Sequence, residues 1–549
     1  MKRTLLLATL VALCTVSMVF AQAKDRPDKD NDKKDNEKKE APGPAEGQFF
    51  KPESVKTTDS VTVEGTRILY DAICGTIIVH PEGWDDAAPP PDKESKGGDE
   101  DMHNPDAEAS MFYVAYFKRG ADAAKRPVMF LFNGGPGSAT VWLHMGAFGP
   151  RRVITADDTH TPAAPYKIVN NDYSLLDASD LVFIDAPATG FSRIAGKGKE
   201  KAFFGVDPDA HAFAEFITAF LSRYGRWNSP KYIFGESYGT PRAAVLVNML
   251  ETSYAADFNG VVMLSQILNY DLSVDGAEGN PGVDLPYVLA LPTYAATAWY
   301  HHKLENQPPD LKTLLDEVER FATNEYAHAL GMGTELPDDQ RKAIAGKLHD
   351  YTGLPVAYIL KANLRIDGGE FEKNLQDETD TTTGRLDSRF SGPTLDPLSK
   401  EAQYDPQSAA ISSAYLSAFN EYVRKTLNFG QDRTYRPFYH VWRDWDFHHR
   451  EPGDLGGSGA TNVMPDLAMA MKYNPGLKVL LTGGYFDIAT PFYEGWYEMH
   501  HLAIPANLQD NITYRYYESG HMVYAHQAAL KAIHDDVAAF VASTDNLAR

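Results

Sequence analysis

The chain has 549 residues, 43 % of them hydrophobic, and a formal net charge of −23. That length passes the size at which one core stops growing, so one large domain with a substantial insertion, or two domains, is expected. The acid excess argues against nucleic acid as a partner, which would require a basic stripe, and against docking on anionic membranes; it suits a soluble, exported protein.

The N-terminus reads as an address. Lys2 and Arg3 precede an apolar run at 5–20, and Ala21-Gln22-Ala23 supplies a cleavage site. Residues 1–23 are therefore expected to be a signal peptide, and the protein periplasmic or extracellular, with no stable membrane insertion after cleavage. Cys14 would leave with the signal. Cys74 then has no partner for an internal disulfide and reads as a small buried hydrophobe. Residues 24–48 alternate Lys with Asp and Glu and lack aromatics, the composition of a disordered charged linker.

Folded structure is expected from about Phe49. Residues 61–63, 67–70 and 76–79 read as strands, 85–107 as an acidic loop, and 111–117 and 127–132 as further strands. From there strands alternate with helices. Short buried strands are expected at 181–184, 232–234 and 261–268, and helical spacing appears at 209–224 and 243–250. That rhythm implies an α/β fold, with a mostly parallel central sheet and helices on both faces. It breaks at about residue 269. Amphipathic helices are expected at 311–330, 338–351 and 408–427, around a polar, turn-rich stretch at 379–397. Strands return at 478–481 and 513–517, and a helix at 527–542 closes the chain. The simplest division is a core at 49–268, a mostly helical cap insertion at 269–452, and the second part of the core at 453–549.

Residues 235–239 read Gly-Glu-Ser-Tyr-Gly, between an expected strand and an expected helix. A serine hydroxyl is a poor nucleophile until it is held in the open beside a base, and a tight strand-to-helix turn provides the first condition. Further along, the strand at 478–481 runs into Thr482-Gly483-Gly484-Tyr485-Phe486-Asp487, and the strand at 513–517 into Glu518-Ser519-Gly520-His521. Ser237, Asp487 and His521 thus follow the chain order of an α/β serine hydrolase, each just past a strand. His521 would take the Ser237 proton, and Asp487 would fix the imidazole tautomer. An oxyanion hole needs backbone N–H donors: one from Tyr238, after the nucleophile, and one from the Gly-rich loop at 133–137.

Asn-Gly-Gly-Pro-Gly-Ser at 133–138, Gly-Glu-Ser-Tyr-Gly at 235–239, Gly-Tyr-Phe-Asp at 484–487 and Gly-His-Met at 520–522 resemble the serine carboxypeptidases of family S10. Asp185-Ala186-Pro187 with Gly190-Phe191-Ser192 resembles a further block. The resemblance implies an α/β-hydrolase fold with a helical cap. It also implies an enzyme that releases C-terminal residues from peptides, through an acyl-enzyme and typically at acidic pH. By this resemblance Gly135 and Tyr238 are the oxyanion donors, and Asn133, Gly134 and Glu236 hold the substrate's terminal carboxylate. A protonated Glu236 beside that carboxylate can share one proton with it, which favours binding in acid. The substrate is then a peptide with a free C-terminus; no cofactor or metal is expected.

The chain departs from the family at Ala147, where a second carboxylate-binding glutamate is usual, and at Ser138, where the family tends to have a disulfide cysteine. Arg151 and Arg152 offer a substitute cation or are ordinary surface charges. An esterase or acyltransferase using the same triad, and a catalytically silent peptide-binding relative, remain alternatives. The pairs His301-His302, His448-His449 and His500-His501 lack metal-ligand spacing. Tyr439, Trp442 and Trp445 are candidates for a substrate pocket or for packing.

Overall fold

The computed structural model describes residues 49–86, 104–453 and 459–547. The expected signal peptide and charged linker, and most of the acidic loop, lie outside the described residues. The elements that build the sheet are β1 (Ser54–Val63), β2 (Thr66–Val79), β3 (Glu108–Lys118), β4 (Val128–Phe132), β5 (Asp180–Ile184), β6 (Lys231–Glu236), β7 (Gly260–Leu264), β8 (Lys478–Gly484) and β9 (Ile512–Tyr517). They lie side by side in the order β1-β2-β3-β5-β4-β6-β7-β8-β9, and Arg193–Ala195 joins the edge of β3. The pairs from β1 to β5 are antiparallel and those from β5 to β9 are parallel.

The parallel strands are short apolar runs because both faces are covered. In β4, Met129 and Leu131 enter the apolar cluster on one face, while Val128, Phe130 and Phe132 enter the other. Helices α1 (Val206–Tyr224) and α2 (Gly239–Thr252) cover the second face. In the stretch 269–452, α3 (Leu285–Tyr300), α4 (Leu311–Phe321) and α5 (Asp338–Thr352) share an apolar cluster of their own. Helix α6 (Pro406–Lys425) behaves differently: Ile411, Tyr415, Phe419 and Tyr422 pack into the cluster on the first face of the sheet. Helix α7 (Met464–Tyr473) joins the second face, and α8 (Gln527–Thr544) the first. The parallel sheet, its order and its two helical layers make this an α/β-hydrolase fold.

Several local expectations change. The strands expected at 67–70 and 76–79 are one strand, β2, because the intervening residues keep pairing with β3. The strand expected at 261–268 stops at Leu264, since Ser265 turns into the left-handed region at φ 55°. The polar stretch 379–397 holds a small hairpin, Thr381–Thr383 with Ser391–Pro393. Cys74 is buried, and burial pushes its thiol up. Among the described residues no helix is long and apolar enough to cross a membrane.

The end of the sheet where the parallel strands begin is tied by a buried charge cluster. Asp180, at the start of β5, accepts from Arg226 Nη1 at 2.6 Å, Arg126 Nε at 3.3 Å and the Lys118 N–H at 2.9 Å. Both arginines are otherwise spent on backbone carbonyls and a serine hydroxyl. Replacing Asp180 with Asn leaves two buried guanidinium groups without their counter-charge. The expected cost is about 3–5 kcal/mol of unfolding free energy, measured in denaturant; a loss below about 1 kcal/mol contradicts this account.

Candidate active site

Four loops leave the carboxyl ends of the parallel strands and meet above the sheet. Ser237 follows β6 directly and sits at φ 60°. A non-glycine residue in that region is strained, and the turn is held by its surroundings. The Ser237 N–H donates to the Leu264 carbonyl at 2.9 Å, and the Thr240 N–H closes back on the Ser237 carbonyl at 2.8 Å. The turn fits because its neighbours lack side chains. A Cβ on Gly235 would overlap the Gly239 carbonyl, and one on Gly134 would overlap the Tyr238 nitrogen. Gly134 therefore brings the 133–137 loop against the residue that follows the nucleophile. Neither the Gly135 N–H nor the Tyr238 N–H is donated to any atom among the described residues.

The loop after β8 carries Asp487 and the loop after β9 carries His521. His521 Nδ1 lies 2.8 Å from Asp487 Oδ2. Thr490 donates to the same carboxylate twice, from its N–H at 3.0 Å to Oδ1 and from its hydroxyl at 2.7 Å to Oδ2. Burial alone would depress the His521 imidazole, but the adjacent Asp487 carboxylate raises it above its ordinary value. Ser237 and His521 line the same cleft; no hydrogen bond joins them among the described residues.

The 384–390 segment, from the expected insertion, braces both loops. The Arg385 carbonyl accepts from the Ile488 N–H at 3.1 Å, the Leu386 carbonyl from the His521 N–H at 2.6 Å, and the Phe486 carbonyl from the Ser388 N–H at 2.9 Å. Gly520 has no room for a Cβ beside the Asp387 side chain. The Asp185 block braces the opposite side. Asp185 Oδ1 accepts from the Thr140 N–H at 2.9 Å, and the Thr140 hydroxyl accepts from the Asn133 N–H at 3.3 Å.

The cleft has a volume of about 340 Å³. Asn133, Gly134, Gly135, Glu236, Ser237 and His521 line one side. The Asn133 side-chain oxygen accepts from the Leu143 N–H at 3.1 Å. Glu236 is buried, and its two carboxyl oxygens accept from the Tyr524 hydroxyl at 3.1 and 2.9 Å. Burial pushes this carboxyl up to about 7, against the pull of the His521 charge and of hydrogen bonds from Tyr524 and Asn133. The cleft's outer wall is aromatic. Phe438, Tyr439 and Trp442 line it and are 51, 37 and 50 % exposed. Backbone bonds from Ala139 to the Pro437 carbonyl (2.9 Å) and from Tyr439 to the Gly137 carbonyl (2.8 Å) hold this wall beside the Gly-rich loop. Trp445 does not line the cleft. It is buried, edge-on to the Tyr238 ring with centroids 5.3 Å apart.

The second glutamate that the resemblance implies has no stand-in at position 147 or at the following arginines. Ala147 is buried in the apolar cluster outside the cleft lining. Arg151 pairs with Asp59 at 2.8 Å, and neither it nor Arg152 lines the cleft. Of the paired histidines, His449 is buried between Asp207 (2.6 Å) and Asp466 (2.7 Å), a charge clamp. Among the described residues no group of three or more His, Cys, Asp or Glu side chains is placed to hold a metal ion. Sequence reasoning missed Tyr524, Thr490 and the 384–390 brace. Tyr524 lies three residues past His521, a spacing that offered a signal; the brace offered none.

Residues 94–277 match the family model described as serine carboxypeptidase. Among curated relatives, the pheromone-processing carboxypeptidase KEX1 of Cryptococcus gattii is 31 % identical over 147 residues, covering 26 % of this chain and 20 % of the relative. That of Phytophthora infestans is 30 % identical over 141 residues, covering 23 % of this chain and 21 % of the relative. The chain thus spans about a fifth of the length of the curated relatives it matches. A solved structure of proline iminopeptidase from Mycobacterium smegmatis aligns at 13 % identity and a TM-score of 0.32, covering 89 % of this chain and 99 % of that one. The motifs at 133–138, 185–192 and 235–239 all fall inside the matched stretch, and over residues 94–277 the chain is similar to the serine carboxypeptidase family.

Proposed function

We propose that this protein is an exported serine carboxypeptidase that releases C-terminal residues from peptides. The observation that carries the reading is Glu236, a buried acid adjacent in the chain to Ser237 and lining the same cleft. A carboxyl held near neutrality and protonated in weak acid can hydrogen-bond a carboxylate, which an ionised one would repel. Together with the Asn133 amide it would recognise a peptide's terminal carboxylate, with Gly134 supplying close backbone approach. The scissile carbonyl would then lie over Ser237.

In this mechanism His521 Nε2 accepts the Ser237 hydroxyl proton as Oγ attacks, through a hydrogen bond that closes as substrate binds. Asp487, fixed by Thr490, holds the Nδ1 proton and stabilises the imidazolium. The free N–H groups of Gly135 and Tyr238 receive the oxyanion. His521 gives its proton to the departing amine, and water then attacks the acyl-enzyme by the same route. The aromatic wall of Phe438, Tyr439 and Trp442 is suited to a bulky apolar side chain beside the scissile bond, since exposed aromatics at a cleft mouth are waiting surface.

A second reading, an esterase or acyltransferase with the same triad, is favoured by one feature. Ala147 leaves Glu236 without a second acid, which weakens recognition of the carboxylate. An N-blocked peptide supplied as free acid, amide and ester separates the two. For the free acid, kcat/KM should fall as pH rises through about 7, where Glu236 ionises, and fall again on the lower side as His521, raised above its ordinary value by Asp487, protonates. The ester should lack the upper limb, and the amide should be turned over at least about 100-fold more slowly than the free acid. Equal rates on free acid and amide contradict carboxypeptidase action. Ser237→Ala should abolish all three. Trp442→Ala should raise KM about tenfold for a peptide with an aromatic residue at the scissile bond and leave an alanine peptide unchanged; equal effects on both contradict the apolar subsite.

A further inference from the structure

We infer that Tyr524 is a positioning residue that sets the pH range in which Glu236 binds a carboxylate. The inference rests on the carboxypeptidase reading and deepens it. Tyr524 is buried in the turn after His521, and its hydroxyl reaches both Glu236 oxygens, at 3.1 and 2.9 Å. A phenol has one proton to donate. When Glu236 is protonated, one of its oxygens accepts from Tyr524 and the other carries the acid proton. Asn133 is a second donor to Glu236, and its own oxygen is occupied by Leu143. The acid proton is thereby turned toward the cleft, where a peptide carboxylate would accept it.

The groups facing Glu236 divide by element. His521, from the loop after β9, favours ionised Glu236 when it is itself charged, and Asp487, from the loop after β8, opposes it. Tyr524 and Asn133 favour the ionised form by hydrogen bonding. Tyr415, from α6, is a neutral neighbour whose own hydroxyl is pushed up by burial and by Glu236, and Arg152 lies beyond it. Tyr524 is also held by its surroundings. Its turn, Val523–Ala525, is closed by the Ala525 N–H on the Met522 carbonyl at 2.7 Å, and its hydroxyl is pushed far up by burial, so it stays a donor across the working range.

Two consequences follow from removing only the hydroxyl. Glu236 loses a donor to its ionised form, so its carboxyl titrates higher. It also loses the contact that fixes its direction, so carboxylate binding weakens at every pH. A residue that merely filled space would produce neither effect when replaced by Phe.

The test is calorimetric binding of an N-blocked tripeptide, as free acid and as amide, to Ser237→Ala and to Ser237→Ala with Tyr524→Phe, between pH 5 and 9. Melting temperatures of the two proteins report that both are folded. In the protein that keeps Tyr524, free-acid binding should weaken through about pH 7. In the double variant the same limb should move up by about one pH unit, and affinity below it should drop about tenfold, with the amide showing no such limb in either protein. An unmoved limb with unchanged affinity overturns the role of Tyr524. Failure of both proteins to prefer the free acid over the amide overturns the carboxypeptidase reading itself.

Discussion

The site depends on a backbone contact that only glycine permits. The loop after β4 and the turn after β6 touch where Gly134 meets Tyr238, and the turn closes on itself where Gly235 meets Gly239. At that contact Ser237 is held at φ 60°, with its N–H tied to Leu264. The same contact brings the loop of Gly135 against Tyr238, the two residues whose N–H groups are undonated among the described residues. A methyl on Gly134 would force the loop and the turn apart, and one on Gly235 would force open the turn that carries Ser237.

The electrostatics are built around two acids in different surroundings. Asp487 is surrounded by donors, two from Thr490 and one from His521. Glu236 has Tyr524 and Asn133, and burial wins over them, leaving its carboxyl near 7. In the proposed mechanism Asp487 is the counter-charge to His521, and Glu236 is the hydrogen-bond donor to the substrate carboxylate. His521 lies between them and couples to both, so protonation of the base and ionisation of the recognising acid are linked.

The sheet was legible in the sequence because its signals are local. Runs such as Val-Met-Phe-Leu-Phe at 128–132 can only be doubly buried strands, and glycine-rich turns follow them directly. Asn133, Gly134, Gly135, Glu236, Ser237 and His521, named from motifs, line one cleft, with Asp487 bonded to His521, because each motif sits just past a parallel strand and all such ends point the same way. What was not legible comes from long range. The 384–390 brace carries no motif, and its work is done by backbone groups, two carbonyls and one N–H, which side-chain identity does not mark. Helix α6 has the spacing of an amphipathic cap helix, yet its apolar stripe is buried against the sheet, a choice that periodicity does not encode. Tyr439, Trp442 and Trp445 are alike as sequence; backbone pairing with Gly137 exposes the first two in the cleft, and the third is buried under Tyr238.

The central claim is that a peptide terminus is what this cleft recognises. A crystal structure of Ser237→Ala with a bound free-acid peptide tests it most directly. The account predicts the terminal carboxylate within hydrogen-bond distance of Glu236 and the Asn133 amide, and the last peptide carbonyl between the Gly135 and Tyr238 N–H groups. A peptide running through the cleft, with its terminus in solvent and Glu236 untouched, contradicts it.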